Sequence, residues 1–441
     1  MGEAAWVEHA IWWHAFPLGF VGAEKSALPP DHEGVHRLPM LEGWLDYVLE
    51  LGASGLLLGP VFESGSHGYD TIDYLSIDRR LGDAADFARL ASRAHERGIR
   101  VLLDGVFNHV GRDFPMFQQA LREGAGSPAA AWFHMFWPMG GGEPDYEHFE
   151  GHRQLVTLNH DNSAVADFVV AVMCHWLDQG ADGWRLDAAY AVPAAFWSRV
   201  LPRVRERHPE AYFVGEVIHG DYAAYVAESG IDSVTQYELW KATWSALNDR
   251  NLFELDWTLT RHNAFLEEFV PMTFLGNHDV TRIASKLEDE RHLAHAVVLL
   301  MTLGGTPCVY SGDEQGFHGV KEDREGGDDD VRPAFPQSPD ELTDLGAPVL
   351  AVHRELIGLR RRNPWLHRAQ AEVTHLTNEQ VVFTSRAGER SVVVALSLSN
   401  DATTVPVSGA SAVIAGAGDL LHPGSSANLV LPAHGWAVLS S

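Results

Sequence analysis

Short apolar runs recur along most of the chain, and most are followed by a stretch whose apolar residues keep helical spacing. The first run is Ile11 to His14. Others are GLLLG from Gly55, IRVLLDGVF from Ile99, ADGWRLDAA, AYFVGEV, SVTQ, VPMTFLGN and TPCVYSG. Between them, Leu41, Leu45, Val48 and Leu49 share a helical face, as do Phe87, Leu90 and Ala94. Val165, Phe168, Val169, Val172, Trp176 and Leu177 follow the i, i+3, i+4, i+7 pattern, and another helix is expected to start near Pro193. Eight strands alternating with helices predict an α/β fold, a closed (β/α)8 TIM barrel.

Two interruptions divide the chain. More than 50 residues separate the third and fourth strands, and they include WFHMFWPMGGGEPDYEHFEGHRQ. A segment that long is expected to be a functional insertion. After Leu359 the helical pattern breaks at RRRNPW, and QVVFTS, SVVVALSL, NLVLPA and GWAVLSS follow, all strand-like. The expected organisation is a barrel over 1–109 and 161–365, an insertion over 110–160 and a C-terminal antiparallel β-sandwich over 366–441. The acidic run EGGDDD, Glu325 to Asp330, reads as a solvated loop.

Charge narrows the partners. The net charge of −28 repels nucleic acid, anionic membrane and polyanionic substrates, so a neutral substrate is expected. No apolar run reaches 18 residues, and the acid-containing start MGEAAWVEHA does not resemble a signal peptide. Cys174 and Cys308 sit in apolar runs and read as buried thiols. The cytoplasm is the expected location. The 14 tryptophans fill core, and some offer flat faces of the kind sugar rings stack against.

In such barrels the active site forms at the C-terminal ends of the strands. Strand three ends in Asp104, Asn108 and His109, strand four in Arg185 and Asp187, strand five in Glu216, and strand seven in Asn277, His278 and Asp279. Charges buried at one mouth are costly unless paired or used. Barrel-end salt bridges alone would account for any one of them, less readily for all. Arg185 and Asp187 are two apart on a strand and share a face. Arg185 can donate to Asp187 or to a neighbouring carboxylate, and as a nearby cation it is expected to keep Asp187 ionised, as a nucleophile needs. Glu216, flanked by Asp187 and Asp279, is expected to hold its proton as a general acid. One ionised and one protonated carboxyl are the apparatus of glycoside hydrolysis.

DGVFNH, GWRLDAA, GEV and FLGNHD, in that order, resemble the four signature regions of glycoside hydrolase family 13, the α-amylase family. GPVFESGSHGYDTIDY and GGTPCVYSGDE resemble its segments after strand two and at strand eight. The resemblance spans nearly the whole chain, with the insertion as the family's B domain. It implies Asp187 as nucleophile, Glu216 as acid/base and Asp279 as the third, transition-state-stabilising carboxylate. It implies that His109 and His278 hydrogen-bond the sugar, that Tyr69 stacks on it, and that Arg185 holds Asp187. Asp104 and Asn108 are then architectural. The implied reaction retains configuration through a covalent β-glycosyl ester, with carboxyls about 5–5.5 Å apart.

Departures narrow the subgroup. Asp187 is followed by Ala188, Ala189 and Tyr190, without the Lys and His that accompany calcium in many α-amylases, so no metal and no cofactor are expected. LVTLN carries Thr157 where the fifth signature often has Asp. That and GYDTIDY resemble the neopullulanase and cyclomaltodextrinase group, although its usual N-terminal β-domain has no counterpart before the first strand. The implied activity is hydrolysis of α-1,4, and as an extension α-1,6, linkages in maltooligosaccharides or cyclic dextrins. A transglycosylase or a glucoside isomerase such as trehalose synthase would use the same site, and a non-catalytic barrel is the reading from another class. A homodimer is compatible with the sequence, which contains no feature that decides it. Aromatics of the insertion, among them Trp132, Phe133, Phe136, Trp137 and Tyr146, divide between cleft wall and local core. Trp240 and Trp244 are read as helix packing. His292 and His295, spaced i, i+3, have no third ligand in view, so no metal is assigned to them.

Overall fold

The computed structural model describes residues 3–29, 31–140, 142–324 and 326–440. Glu325 of the acidic run lies outside them. Eight parallel strands form the barrel: β1 (Trp12–Ala15), β2 (Gly55–Leu58), β3 (Arg100–Gly105), β4 (Gly183–Leu186), β5 (Tyr212–Gly215), β6 (Ser233–Val234), β7 (Met272–Phe274) and β8 (Thr306–Tyr310). Their hydrogen-bonded order is β6-β5-β4-β3-β2-β1-β8-β7. The ring closes between β6 and β7 through one parallel bridge, Thr235 to Met272, among the described residues. Each strand is the one expected from its apolar run.

Alternation along the strands sorts side chains into barrel interior and helix layer. Trp12, Leu57, Leu102, Tyr212, Val214, Met272, Phe274 and Cys308 fill the interior. Trp12 and Tyr212 stack there, 6.3 Å apart at 10°. Gly55 makes room for them, since a Cβ at that position would lie 2.2 Å from the Trp12 ring. The short turn Ala5–His9 closes the bottom, with the Trp6 ring edge-on to Trp12 at 5.9 Å.

The outer helices follow the sequence pattern. Ala84–Glu96 begins with a capping box between Asp83 and Asp86 and buries Phe87, Leu90, Ala91 and Ala94. The helix expected near Pro193 runs Ala194–Arg207, with Pro193 as its extended N-cap rather than its first helical residue. Trp240 stacks on Phe274 at 6.2 Å and donates to the Leu275 carbonyl, so it packs the helix as expected.

Between β3 and the helix Ser163–Asp178, two antiparallel pairs form: His109–Gly111 with Leu155–Thr157, and Met135–Phe136 with Asp145–Tyr146. Phe133 and Tyr146 make a small core around Phe117, whereas Phe136 is exposed. The described part of the acidic run is a turn that passes into a short 3-10 turn at Asp329–Val331, and two of its carboxylates find cations: Asp328 pairs with Lys321 at 2.9 Å and Arg332 at 3.1 Å, and Asp329 with Lys25.

From Gln370 onward the chain is antiparallel, a five-stranded sheet and a three-stranded sheet. Val382, Val393, Val405, Leu429 and Leu439 fill the space between the sheets. The alternate residues Val381, Phe383 and Val394 join the barrel's hydrophobic core, so the period of two places one face inward and the other on the barrel. Cys174 and Cys308 are buried free thiols, and no helix among the described residues is long and apolar enough to cross a membrane.

Candidate active site

The top of the barrel carries the strand-end residues, and the ladder holds the first two in place. Asp187 N–H still donates to the Gly105 carbonyl at 3.0 Å, and Glu216 N–H to the Leu186 carbonyl at 2.8 Å. Both carboxyls therefore leave a rigid backbone at adjacent positions. Ala188, directly after Asp187, is left-handed with φ +44°. That turn aims its N–H at Glu216 Oε2, 3.1 Å away.

Beneath the carboxyls lies Arg185, 3% exposed. It pairs in register with Asp104 on β3. Its Nη1 donates to both Asp104 oxygens, at 2.7 and 2.6 Å, and its Nη2 lies 2.6 Å from Glu216 Oε1. Asp187 Oδ1 is farther, at 3.4 Å. Arg185 thus reaches Asp104 and Glu216 at shorter distance than Asp187. The electrostatics change with it. Burial, and then the neighbouring Glu216, push the Asp187 carboxyl well above the usual carboxylate range, with Arg185 offsetting only part. Arg185 does lower the Asp187 carboxyl, as expected, but burial and Glu216 outweigh it.

Glu216 Oε1 also accepts from the Tyr237 hydroxyl at 3.2 Å, and that oxygen in turn accepts from Asn277 Nδ2 at 2.8 Å. Across the cleft, Asp279 N–H donates to the Asn277 side chain at 2.8 Å, which sets the turn after β7. Asp279 Oδ2 lies 2.8 Å from His278 Nε2, and Oδ1 accepts from Arg332 Nη2 at 2.7 Å. Burial would raise Asp279, but His278, Arg332 and Arg185 outweigh it and hold the carboxyl well below its usual value.

Tyr69 donates to Asp104 Oδ2 at 3.0 Å and also meets His278 Nε2. His278 is sandwiched between the Tyr69 ring at 5.3 Å and the Phe16 ring at 5.5 Å. It is fully buried, so it stands behind Asp279 rather than on the cleft. His109 Nε2 donates to the Tyr69 carbonyl at 3.1 Å, and Asn108 Nδ2 lies 3.1 Å from His109 Nδ1. Burial pushes the His109 imidazole down to about 3, so it is neutral. Its ring lies flat on Phe149, 4.7 Å away. Asp104 bonds Arg185, and Asn108 lies against His109.

These groups line a cleft of about 440 Å³, with Tyr69, His109, Asp187, Glu216 and Asp279 on its walls. A neighbouring hollow of about 940 Å³ shares Leu155 and Lys321 with it. Arg185, His278, Asp104 and Asn108 lie behind the lining. The sequence reasoning missed Phe149 and Glu150 on the insertion, Tyr237 after β6, Lys321 and Arg332. Tyr237 follows the SVTQ run by a single residue position, which was its one available signal; the others sit on loops with no periodic pattern.

Comparison with known proteins agrees with this geometry. The family profile described as alpha amylase, catalytic domain, matches residues 41–367. A cyclomaltodextrinase of Geobacillus thermopakistaniensis is 31% identical over 428 residues, 91% of this chain and 71% of that protein. A maltogenic alpha-amylase of Bacillus acidopullulyticus is 30% identical over 445 residues, 91% of this chain and 72% of that protein. A debranching enzyme of Nostoc punctiforme superposes with a TM-score of 0.84 at 27% identity, covering 100% of both chains. The strand-end carboxylates, the matched profile and the whole-chain superposition converge: this chain belongs to the α-amylase family of glycoside hydrolases.

Proposed function

We propose that the protein is a retaining hydrolase of short or cyclic maltooligosaccharides, cutting α-1,4 and α-1,6 glucosidic bonds. The observation that carries this is the bridging of Asp187 and Glu216 by one guanidinium, with Asp279 facing them across the cleft. The relatives' names, cyclomaltodextrinase, maltogenic amylase and debranching enzyme, support the substrate class.

The reaction requires an ionised Asp187 and a proton on Glu216. Oε1 of that residue is pinned by Arg185 and Tyr237, so Oε2 presents the proton to the glycosidic oxygen. Asp187, then ionised, attacks the anomeric carbon as the leaving oxygen takes the proton, and a β-glycosyl ester forms. Glu216 next deprotonates a water that opens the ester and releases the α-anomer. Asp279, held ionised, stabilises positive charge on the ring in both transition states. His278 and Arg332 fix Asp279, Tyr69 bonds His278 from behind, and Tyr69 with Phe149 supplies aromatic wall. Two buried thiols agree with a reducing compartment, the cytoplasm.

Proton NMR of separate reactions with maltotriose, a cyclodextrin, pullulan and isomaltose tests this reading. Shorter sugars whose new reducing ends emerge first as α-anomers are expected, with Glu216→Gln and Asp187→Asn inactive. Longer or rearranged glucosides without new reducing ends would replace hydrolysis by transfer. Unchanged turnover in Glu216→Gln would remove Glu216 from its role.

A further inference from the structure

Away from the cleft, the fold joins side chains that the sequence keeps apart. His292 ends the short turn Glu290–His292, ahead of the helix Leu293–Thr302 that leads into β8. His434 lies 142 residues later, in the turn before the last strand of the C-terminal sheet, Trp436–Ser440. His292 Nε2 and His434 Nδ1 are 3.0 Å apart, and Asp289 Oδ2 is 4.0 Å from His292 Nε2. One donor atom from each of the three lies within 4.8 Å of the others. The partner that His292 lacks in the sequence comes from the C-terminal sheet.

We propose that Asp289, His292 and His434 form a zinc-class metal site that clamps the C-terminal sheet to the barrel. A tetrahedral ion with bonds of about 2.0–2.1 Å sets its donor atoms about 3.4 Å apart. The separations of 3.0 and 4.0 Å straddle that edge. Two imidazoles and a carboxylate are a donor set zinc takes, with water in the fourth position, whereas calcium and magnesium want oxygen throughout. The outer shell fits as well. His434 Nε2 donates to Asn400 Oδ1 at 3.0 Å, which fixes the tautomer and leaves the Nδ1 lone pair aimed at His292. Without an ion, His292 Nε2–H donates to that lone pair. With one, the ion replaces the shared proton and His292 passes to its Nδ1–H tautomer. Asp289 is held by Arg291 at 2.6 Å, but Arg291 is 59% exposed and can swing into water at little cost.

The test is calorimetric titration of the untagged full chain with zinc chloride, beside scanning calorimetry and cobalt(II) spectroscopy. One saturable equivalent, a higher Tm and the ligand-field bands of tetrahedral cobalt are expected. His434→Gln and Asp289→Asn should each weaken zinc at least about tenfold and lose the zinc-induced rise in Tm, each measured against its own Tm in EDTA, while leaving the turnover of maltooligosaccharides unchanged. Calcium and magnesium should not raise the Tm. Binding absent in the wild type, or equal in His434→Gln, would leave the two histidines as a plain hydrogen-bonded pair. A calcium effect matching that of zinc would overturn the zinc assignment.

Discussion

Asp104 takes both short hydrogen bonds from Nη1 of Arg185, at 2.7 and 2.6 Å, across two strands in direct register. Asp104 never reaches the cleft, yet it fixes where the guanidinium sits beneath Glu216. Asp104→Asn would leave Arg185 to be drawn toward Asp187 and Glu216. Breaking a buried pair of this kind costs about 3 kcal/mol or more. Urea denaturation should show that loss, and initial rates on a maltooligosaccharide should fall at least about tenfold, the equivalent of 1.4 kcal/mol in the barrier.

On the proposed mechanism Asp187 attacks as the ionised carboxylate. Burial and the nearby Glu216 raise its carboxyl, so the acid limb of kcat/KM should lie above the ordinary carboxylate value of about 4. Glu216→Gln removes the second cause. With a glycosyl fluoride, whose leaving group needs no acid, the residual activity of Glu216→Gln should show its acid limb at lower pH than the wild type. An acid limb that stays in place would mean that Asp187 does not feel Glu216.

Glu314 is fully buried behind β8, where it accepts from Tyr47 at 2.9 Å and from the Gly312 N–H at 3.0 Å. Burial raises it from 4.5 to about 7. The unfolded chain therefore ionises Glu314 near pH 4.5 while the folded chain keeps the proton, and stability falls as pH rises from 4.5 to 7. The contribution is roughly 3 kcal/mol at most. Thermal melts of Glu314→Gln between pH 5 and 8 should show a flatter decline than the wild type. Asp313, raised to about 6 beside it, keeps part of the slope in both.

Ala188 holds a left-handed conformation that costs a residue with a Cβ about 1–2 kcal/mol. Ala188→Gly removes that strain against a glycine entropy cost of about 0.5–1 kcal/mol. Its Tm should be equal to or slightly above that of the wild type, with activity kept. Ala188→Val should lower both the Tm and the turnover, because a β-branched residue resists this conformation and the N–H would turn away from Glu216.

The strand-end residues were legible because alternation along a strand decides which side chains face the barrel and because strand ends converge at one mouth. Asp187, Glu216 and Asp279 meet there for that reason. That Arg185 could reach a carboxylate other than Asp187 was legible, but not which one: Asp104 lies 81 positions earlier. Arg332 comes from an irregular loop, and its place beside Asp279 is set by tertiary packing on Phe16, 4.6 Å from the guanidinium. The same holds for His434, which no local pattern connects to His292. Spacing in sequence reveals neighbours on one element, whereas these contacts depend on how separate elements close on one another.

The barrel is joined least where β6 meets β7, at the Thr235–Met272 bridge. Glu216 stands on one side of that seam and Asp279 on the other, with Asn277 reaching across to Tyr237. The spacing between the Glu216 and Asp279 carboxyls is therefore set across the shortest ladder of the ring. One hydroxyl and one amide span it, so the two sides of the cleft meet at a joint, not in a wall.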